Sequence, residues 1–106
     1  MARRQILIAC AGSLLLGLSP AAATAHTYVV VIDKLKFGPT PTGLRKGDTI
    51  LWDNRDILRH SATAIDHSFD ADLQPGRKVK TLLKTRGSIA FVCRYHPGMR
   101  GMLEVK

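Results

Sequence analysis

The sequence predicts an all-β fold, an antiparallel Greek-key sandwich, and three observations carry that expectation. Short runs rich in β-branched and aromatic residues recur along the chain, each bounded by Gly, Pro, Asp or Asn. Beyond residue 25 no stretch repeats its apolar positions at helical spacing over a useful length. Nor does that part contain an internal repeat or a low-complexity segment, so its strands must find partners across the chain. Greek-key connections are expected because they let the middle and the end of a short chain meet.

Of the 106 residues, 1–25 read as a leader. Met1-Ala2-Arg3-Arg4-Gln5 is a positive n-region, Ile6 to Leu18 is an apolar stretch, and Ala23-Thr24-Ala25 is a small-x-small cleavage site. The apolar stretch is too short to span a bilayer and is followed by Ser19-Pro20 rather than a stop-transfer flank. A cleaved signal peptide and export are expected. That leaves one domain, residues 26–106, with no membrane span. Leu7-Ile8-Ala9-Cys10 resembles a lipoprotein box but leaves almost no apolar segment upstream. Arg3-Arg4 fits a twin-arginine signal as well as an ordinary n-region, so the export route stays open.

Losing Arg3 and Arg4 takes Lys and Arg from 16 to 14 against 8 Asp and Glu, and the net charge from +8 to +6. Such an excess predicts partner proteins with an acidic docking patch. Export and the lack of an Arg/Lys–aromatic stripe argue against nucleic acid. No Ser-His-Asp order and no paired carboxylates with supporting context occur, so the chain is not read as an enzyme. A monomer is expected.

Taken in order, His26-Thr27-Tyr28-Val29-Val30-Val31-Ile32 is a β-branched strand, and Phe37-Gly38-Pro39-Thr40-Pro41-Thr42-Gly43 is a connection no helix could survive. Lys46-Gly47-Asp48 turns into Thr49-Ile50-Leu51-Trp52, where Ile50 and Trp52 share a face and Trp52 is a core candidate. Asp53 to Asp56 is a charged loop, and His60-Ser61-Ala62-Thr63-Ala64 is a short strand. Asp66-His67-Ser68-Phe69-Asp70-Ala71-Asp72 matches no calcium-loop spacing and reads as a solvated loop. After Pro75-Gly76, Lys78 to Leu83 alternates with Val79, Thr81 and Leu83 toward the core. Arg86-Gly87 leads into Ser88-Ile89-Ala90-Phe91-Val92. Met102 to Lys106 closes the chain, with Leu103 and Val105 inward and Met102 and Glu104 outward.

Cys93 follows the apolar strand and is the one cysteine left once Cys10 departs with the leader. An unpaired cysteine in an oxidising compartment needs either a buried berth or a chemical role. Here an imidazole and a thioether follow at i+3 and i+6, as His96 and Met99. Thiolate, imidazole and thioether together suit copper, and His60 supplies the imidazole that a trigonal Cys-His-His set still lacks. The pattern predicts one type 1 copper ion on His60, Cys93 and His96 with Met99 axial. The expected role is shuttling single electrons. A copper carrier or delivery protein with the same ligands is the second reading. His26, if freed by cleavage, could chelate copper through its amine and ring, but only His67 is left to converge with it.

Several stretches together resemble the cupredoxins, and within them the amicyanin-like, plastocyanin-related type. They are Phe37-Gly38-Pro39, Lys46 to Asn54, His60, Phe69-Asp70, Pro75-Gly76 and Cys93-x-x-His96-Pro97-Gly98-Met99-Arg100-Gly101. The resemblance spans nearly all of residues 26–106 and is most specific in the short Cys-x-x-His-x-x-Met spacing. It implies a small periplasmic electron carrier with one type 1 copper. Four positions depart from the pattern. Ser61 stands where cupredoxins often have the Asn that ties the ligand loops together, and Arg59 where amicyanins tend to have Pro. Arg94 and Tyr95 replace a smaller pair between Cys93 and His96. The start of the domain is also short, so one edge strand is expected to be missing.

Overall fold

Alternation along the strands decides what faces inward, and the computed structural model, which describes residues 24–106, follows it closely. Residues 1–23, with most of the expected leader and Cys10, lie outside the described residues. Eight strands are present: β1 (Thr27–Asp33), β2 (Lys36–Phe37), β3 (Thr49–Asn54), β4 (His60–Ala64), β5 (Asp70–Leu73), β6 (Lys78–Leu82), β7 (Gly87–Val92) and β8 (Arg100–Val105). They form two four-stranded sheets, in the orders β2-β1-β3-β6 and β5-β4-β7-β8. The fold is an all-β sandwich rich in antiparallel pairs. One pair is different: β1 and β3 run parallel, Thr27 opposite Thr49 through Ile32 opposite Asn54.

Four elements differ from the sequence expectation, the first being β3, which runs on through the buried Asp53 and Asn54 where a charged loop was expected. Asp70–Leu73 is a strand rather than the end of a solvated loop, with Ala71 and Leu73 turned inward between two outward aspartates. Phe37 belongs to β2, paired with Ile32 across a two-residue turn. Lys34 and Leu35 in that turn have φ of 52° and 61°, the left-handed pair that a tight hairpin requires. The last strand begins at Arg100, two residues before Met102. Among the described residues, β2 covers only the end of β1, and most of the outer edge of β1 carries no neighbouring strand.

The core is built on aromatic contacts. Trp52 is fully buried and its indole N–H donates to Thr81 Oγ1 at 2.9 Å, which satisfies its only polar atom. Phe91 meets Phe37 and Trp52 edge-on, at centroid distances of 4.8 and 5.2 Å. Its ring also lies on Gly101, the residue opposite it on β8, where any Cβ would overlap the ring. Gly101 is therefore fixed by packing. Two buried polar side chains pin the loops. Asp48 accepts the backbone N–H groups of His26 and Arg45, both at 2.9 Å, and these hold its carboxyl below the usual range. Asn54 donates through Nδ2 to the carbonyls of Leu58 and Leu73 and accepts the Asp56 N–H, which shapes the loop leading into His60.

Gly101→Ala forces an extra carbon against the Phe91 ring. We expect it to cost about 1–3 kcal/mol, read as a lower urea midpoint with an unchanged slope. No loss of stability would mean that the ring has room to move.

Candidate metal centre

β7 ends at Val92, so Cys93 leaves the sandwich at one end. β4 begins there with His60, and the Thr63–Val92 pairing sets the two strands side by side. The loop after Cys93 is closed by its own backbone: Cys93 N–H donates to Met99 O at 3.0 Å and Met99 N–H to His96 O at 3.2 Å. Gly98, at φ 91°, makes the turn that this closure needs.

The result brings His60, Cys93 and His96 together, the one such grouping of three among the described residues. Cys93 Sγ lies 3.7 Å from His60 Nδ1 and 3.5 Å from His96 Nδ1. A metal bonded at about 2.0 Å to nitrogen and about 2.3 Å to sulfur in a trigonal plane holds those donors about 3.7 Å apart. Spacing and donor chemistry together fit one type 1 copper ion. His60 and Cys93 are buried and His96 half-buried. Met99 is also buried, and it lines a shallow apolar hollow with Leu35, Lys36, His96, Pro97 and Gly98. Met102 points outward and is half exposed. His26 and His67 join no such grouping.

Two of the donors, His60 and Cys93, are held by a second contact. Asp56 Oδ2 is 2.9 Å from His60 Nε2 and also accepts the Leu35 N–H at 3.0 Å. Those bonds, that from His60 foremost, hold the Asp56 carboxyl below the usual range. An ionised carboxylate can only accept, so the proton of His60 sits on Nε2 and the Nδ1 lone pair faces Cys93. Ser61 N–H points at Cys93 Sγ at 3.4 Å, and Ser61 Oγ accepts the Arg94 N–H at 2.8 Å. One serine thus ties both ligand segments together, the task expected of the absent asparagine.

The remaining departures from the cupredoxin pattern form a single cluster. The Arg59 guanidinium lies 4.6 Å from the centre of the Tyr95 ring and that of Arg94 5.5 Å. Arg59 binds Asp72 through two 2.9 Å hydrogen bonds and lowers the pKa of its carboxyl. Arg94 pairs with Asp70 and reaches Thr63 Oγ1. The charge that Arg59 brings is therefore compensated on the spot. Asp56, Asp70 and Asp72 were not singled out by sequence as supports of the site. The four-residue spacing of Asp56 and His60 was the one available signal.

A two-sheet sandwich with a cysteine and two histidines gathered at one end is a cupredoxin fold. Among solved structures, the chain is similar to amicyanin. A proline-to-glycine variant of amicyanin in its reduced Cu(I) form at pH 4 shares 24% identity over 81% of this chain and 86% of that one, with a TM-score of 0.67. A methionine-to-alanine variant in its Cu(I) form gives the same four values. An oxidised methionine-to-leucine variant shares 22% over 74% and 81%, with a TM-score of 0.66. No protein-family model matches the chain.

Removing the carboxylate should free the His60 tautomer. In metal-free wild type, nitrogen NMR is expected to show His60 protonated at Nε2, and in Asp56→Ala a mixture, with metal affinity falling about 10–100-fold. An unchanged tautomer in the variant would assign its control to another group.

Proposed function

We propose that the chain is an exported one-electron carrier that binds a single type 1 copper through His60, Cys93 and His96, with Met99 as axial ligand. Residues 1–25 serve as its cleaved signal peptide, residues 26–106 as the periplasmic domain. The observation that carries this reading is the assembly of one thiolate and two imidazoles at 3.5–3.7 Å on two separately pinned segments. The copper of the amicyanin structures, bound on the same fold, supports it.

When bound, copper supplies the one-electron couple between Cu(II) and Cu(I). The protein supplies a frame that need not rearrange when the charge changes. His60 is locked by Asp56, and Cys93 and Met99 are tied to each other through the backbone. The Ser61 N–H takes up part of the negative charge on the sulfur. His96 brings one imidazole edge to the apolar hollow, where a partner can approach closely and exclude water. Lys34, Lys36 and Arg100 surround that end, have no ion-pair partner among the described residues and suit an acidic docking patch on the partner. Burial of His60, Cys93 and Met99 favours transfer over delivery, since a delivery site must release its metal. Among the described residues no helix is long and apolar enough to cross a membrane.

Copper(II) added to residues 26–106 should bind one-to-one with an intense thiolate-to-copper band in the visible, and Cys93→Ser should abolish that band. A colourless complex, or fast loss of copper to a chelator, would point to delivery instead.

Met99→Gln should lower the reduction potential, because a harder oxygen donor favours copper(II). Met102→Leu should leave it in place. The reverse outcome would move the axial ligand to Met102.

A further inference from the structure

Positive charge is unevenly distributed over this molecule. Arg55, Arg59 and Arg94 are paired with Asp53, Asp72 and Asp70. At the end away from His60 and Cys93, five exposed cations have no ion-pair partner among the described residues: Arg45, Lys46, Lys84, Arg86 and Lys106. Backbone bonds gather them. Lys46 N–H donates to Lys106 O at 2.8 Å, Lys106 N–H to Leu44 O at 2.9 Å, and Gly47 N–H to Leu83 O at 2.8 Å. Gly87 lies opposite Val105, which places Arg86 beside the chain end. Lys78 and Lys80 continue the cationic surface along the outward face of the edge strand β6, and Leu82, 51% exposed, stands between them and Lys84.

The acids at this end do not cancel the cluster. Asp48 is buried and spends both oxygens on backbone N–H groups. Glu104 accepts the Ser88 hydroxyl and Asp66 the Ser68 N–H, so two exposed acids stand against five exposed cations.

Distance separates this pole from the redox chemistry. The six residues of β7 run from Gly87, at the pole, to Val92, next to Cys93, a span of about 20 Å. Salt screens exposed charges over about 8 Å under physiological conditions. A partner docked at His96 therefore feels little of the pole, whose charge is left free for another contact. Its chemistry is diffuse: many flexible cations, an exposed leucine, and no buried polar group converging on a defined anion. A layer of anionic headgroups asks for charge and a little apolar surface, without shape.

We propose that this pole, with the outward face of β6, docks on an anionic lipid bilayer and leaves the metal end facing away from the membrane. The inference rests on export of the chain and not on the copper reading. Residues 26–106 contain every described strand and the whole described core, so the metal-free protein beginning at His26 is a suitable sample. We expect it to sediment with vesicles of mixed phosphatidylglycerol and phosphatidylcholine, to ignore pure phosphatidylcholine, and to be released by salt.

Each Lys or Arg near a charged bilayer contributes about fivefold. The triple change Lys46→Glu, Lys84→Glu, Arg86→Glu should therefore weaken binding by at least about a hundredfold. The matched change Lys34→Glu, Lys36→Glu, Arg100→Glu at the metal end should stay within about tenfold of wild type. Circular dichroism verifies folding, and glutamine in place of glutamate gives a milder set should a reversal perturb it. Equal losses in both triples would mean that net charge acts rather than the pole, and would overturn the proposal. So would absence of binding to the anionic vesicles, or capture by soluble polyglutamate alone, which would indicate an acidic protein. Copper-loaded protein should bind alike, so loss of the copper reading would leave this result untouched.

Discussion

Ser61 joins two segments that lie thirty-two residues apart, through its amide to the Cys93 sulfur and through its hydroxyl to the next amide, that of Arg94. Everything at the metal end depends on this union. Separately, each segment is a short piece of chain leaving a sheet, and neither could hold a side chain to a few tenths of an ångström. Joined, they form a wall from which His60 and Cys93 project at a fixed separation. The sandwich beneath supplies the rigidity: β4 and β7 are neighbours in one sheet, and Phe91, two residues before Cys93, is clamped between Phe37, Trp52 and Gly101. A shift in the aromatic core would therefore pass directly into the placement of the sulfur.

The supports around the donors show how a small domain keeps polar groups inside. His60, Asn54 and Ser61 are all fully buried, and each has partners for its side chain. Unpaired, any one of them would cost on the order of 1–3 kcal/mol, a sizeable share of the stability available to so short a chain. The second layer is electrostatic. Arg59 and Arg94 bracket Tyr95 and are in turn caught by Asp72 and Asp70, so the loop carrying His96 is stiffened from outside the core by a neutral set of four charges. Tyr95 and Arg94 thus act as loop supports in place of small residues.

Much of this was legible in the sequence, and what was not has identifiable causes. Strands β6 and β8 announced themselves by alternation, the pattern of a half-buried strand, and β7 as an apolar run bounded by a glycine turn. β5 did not: Asp70-Ala71-Asp72-Leu73 alternates correctly, but alanine is a weak strand former and the aspartates resemble a loop. Those aspartates point outward because Arg59 and Arg94 need them, a relation visible only once β4, β5 and the ligand loop stand together. The parallel pairing of β1 with β3 was likewise hidden, since alternation fixes faces but not direction. The three donors were conspicuous because thiolate, imidazole and thioether rarely occur at such spacing for another reason. The carboxylate behind His60 sat in what looked like an ordinary charged loop.

Asp56 has one further bearing on how such a chain can change over time. A single oxygen, Oδ2, receives both the His60 ring and the amide of Leu35 at the hairpin tip. Leu35 and Lys34 hold a backbone conformation that glycine or asparagine would adopt with less strain. The bond to Asp56 uses the backbone amide of Leu35, which every residue but proline retains, so the turn residues can change while the carboxylate behind His60 stays held. The hairpin and the histidine are thus linked through main chain rather than through side-chain identity, although one lies on the surface and the other is sealed within, and proline at position 35 is the replacement that would sever them.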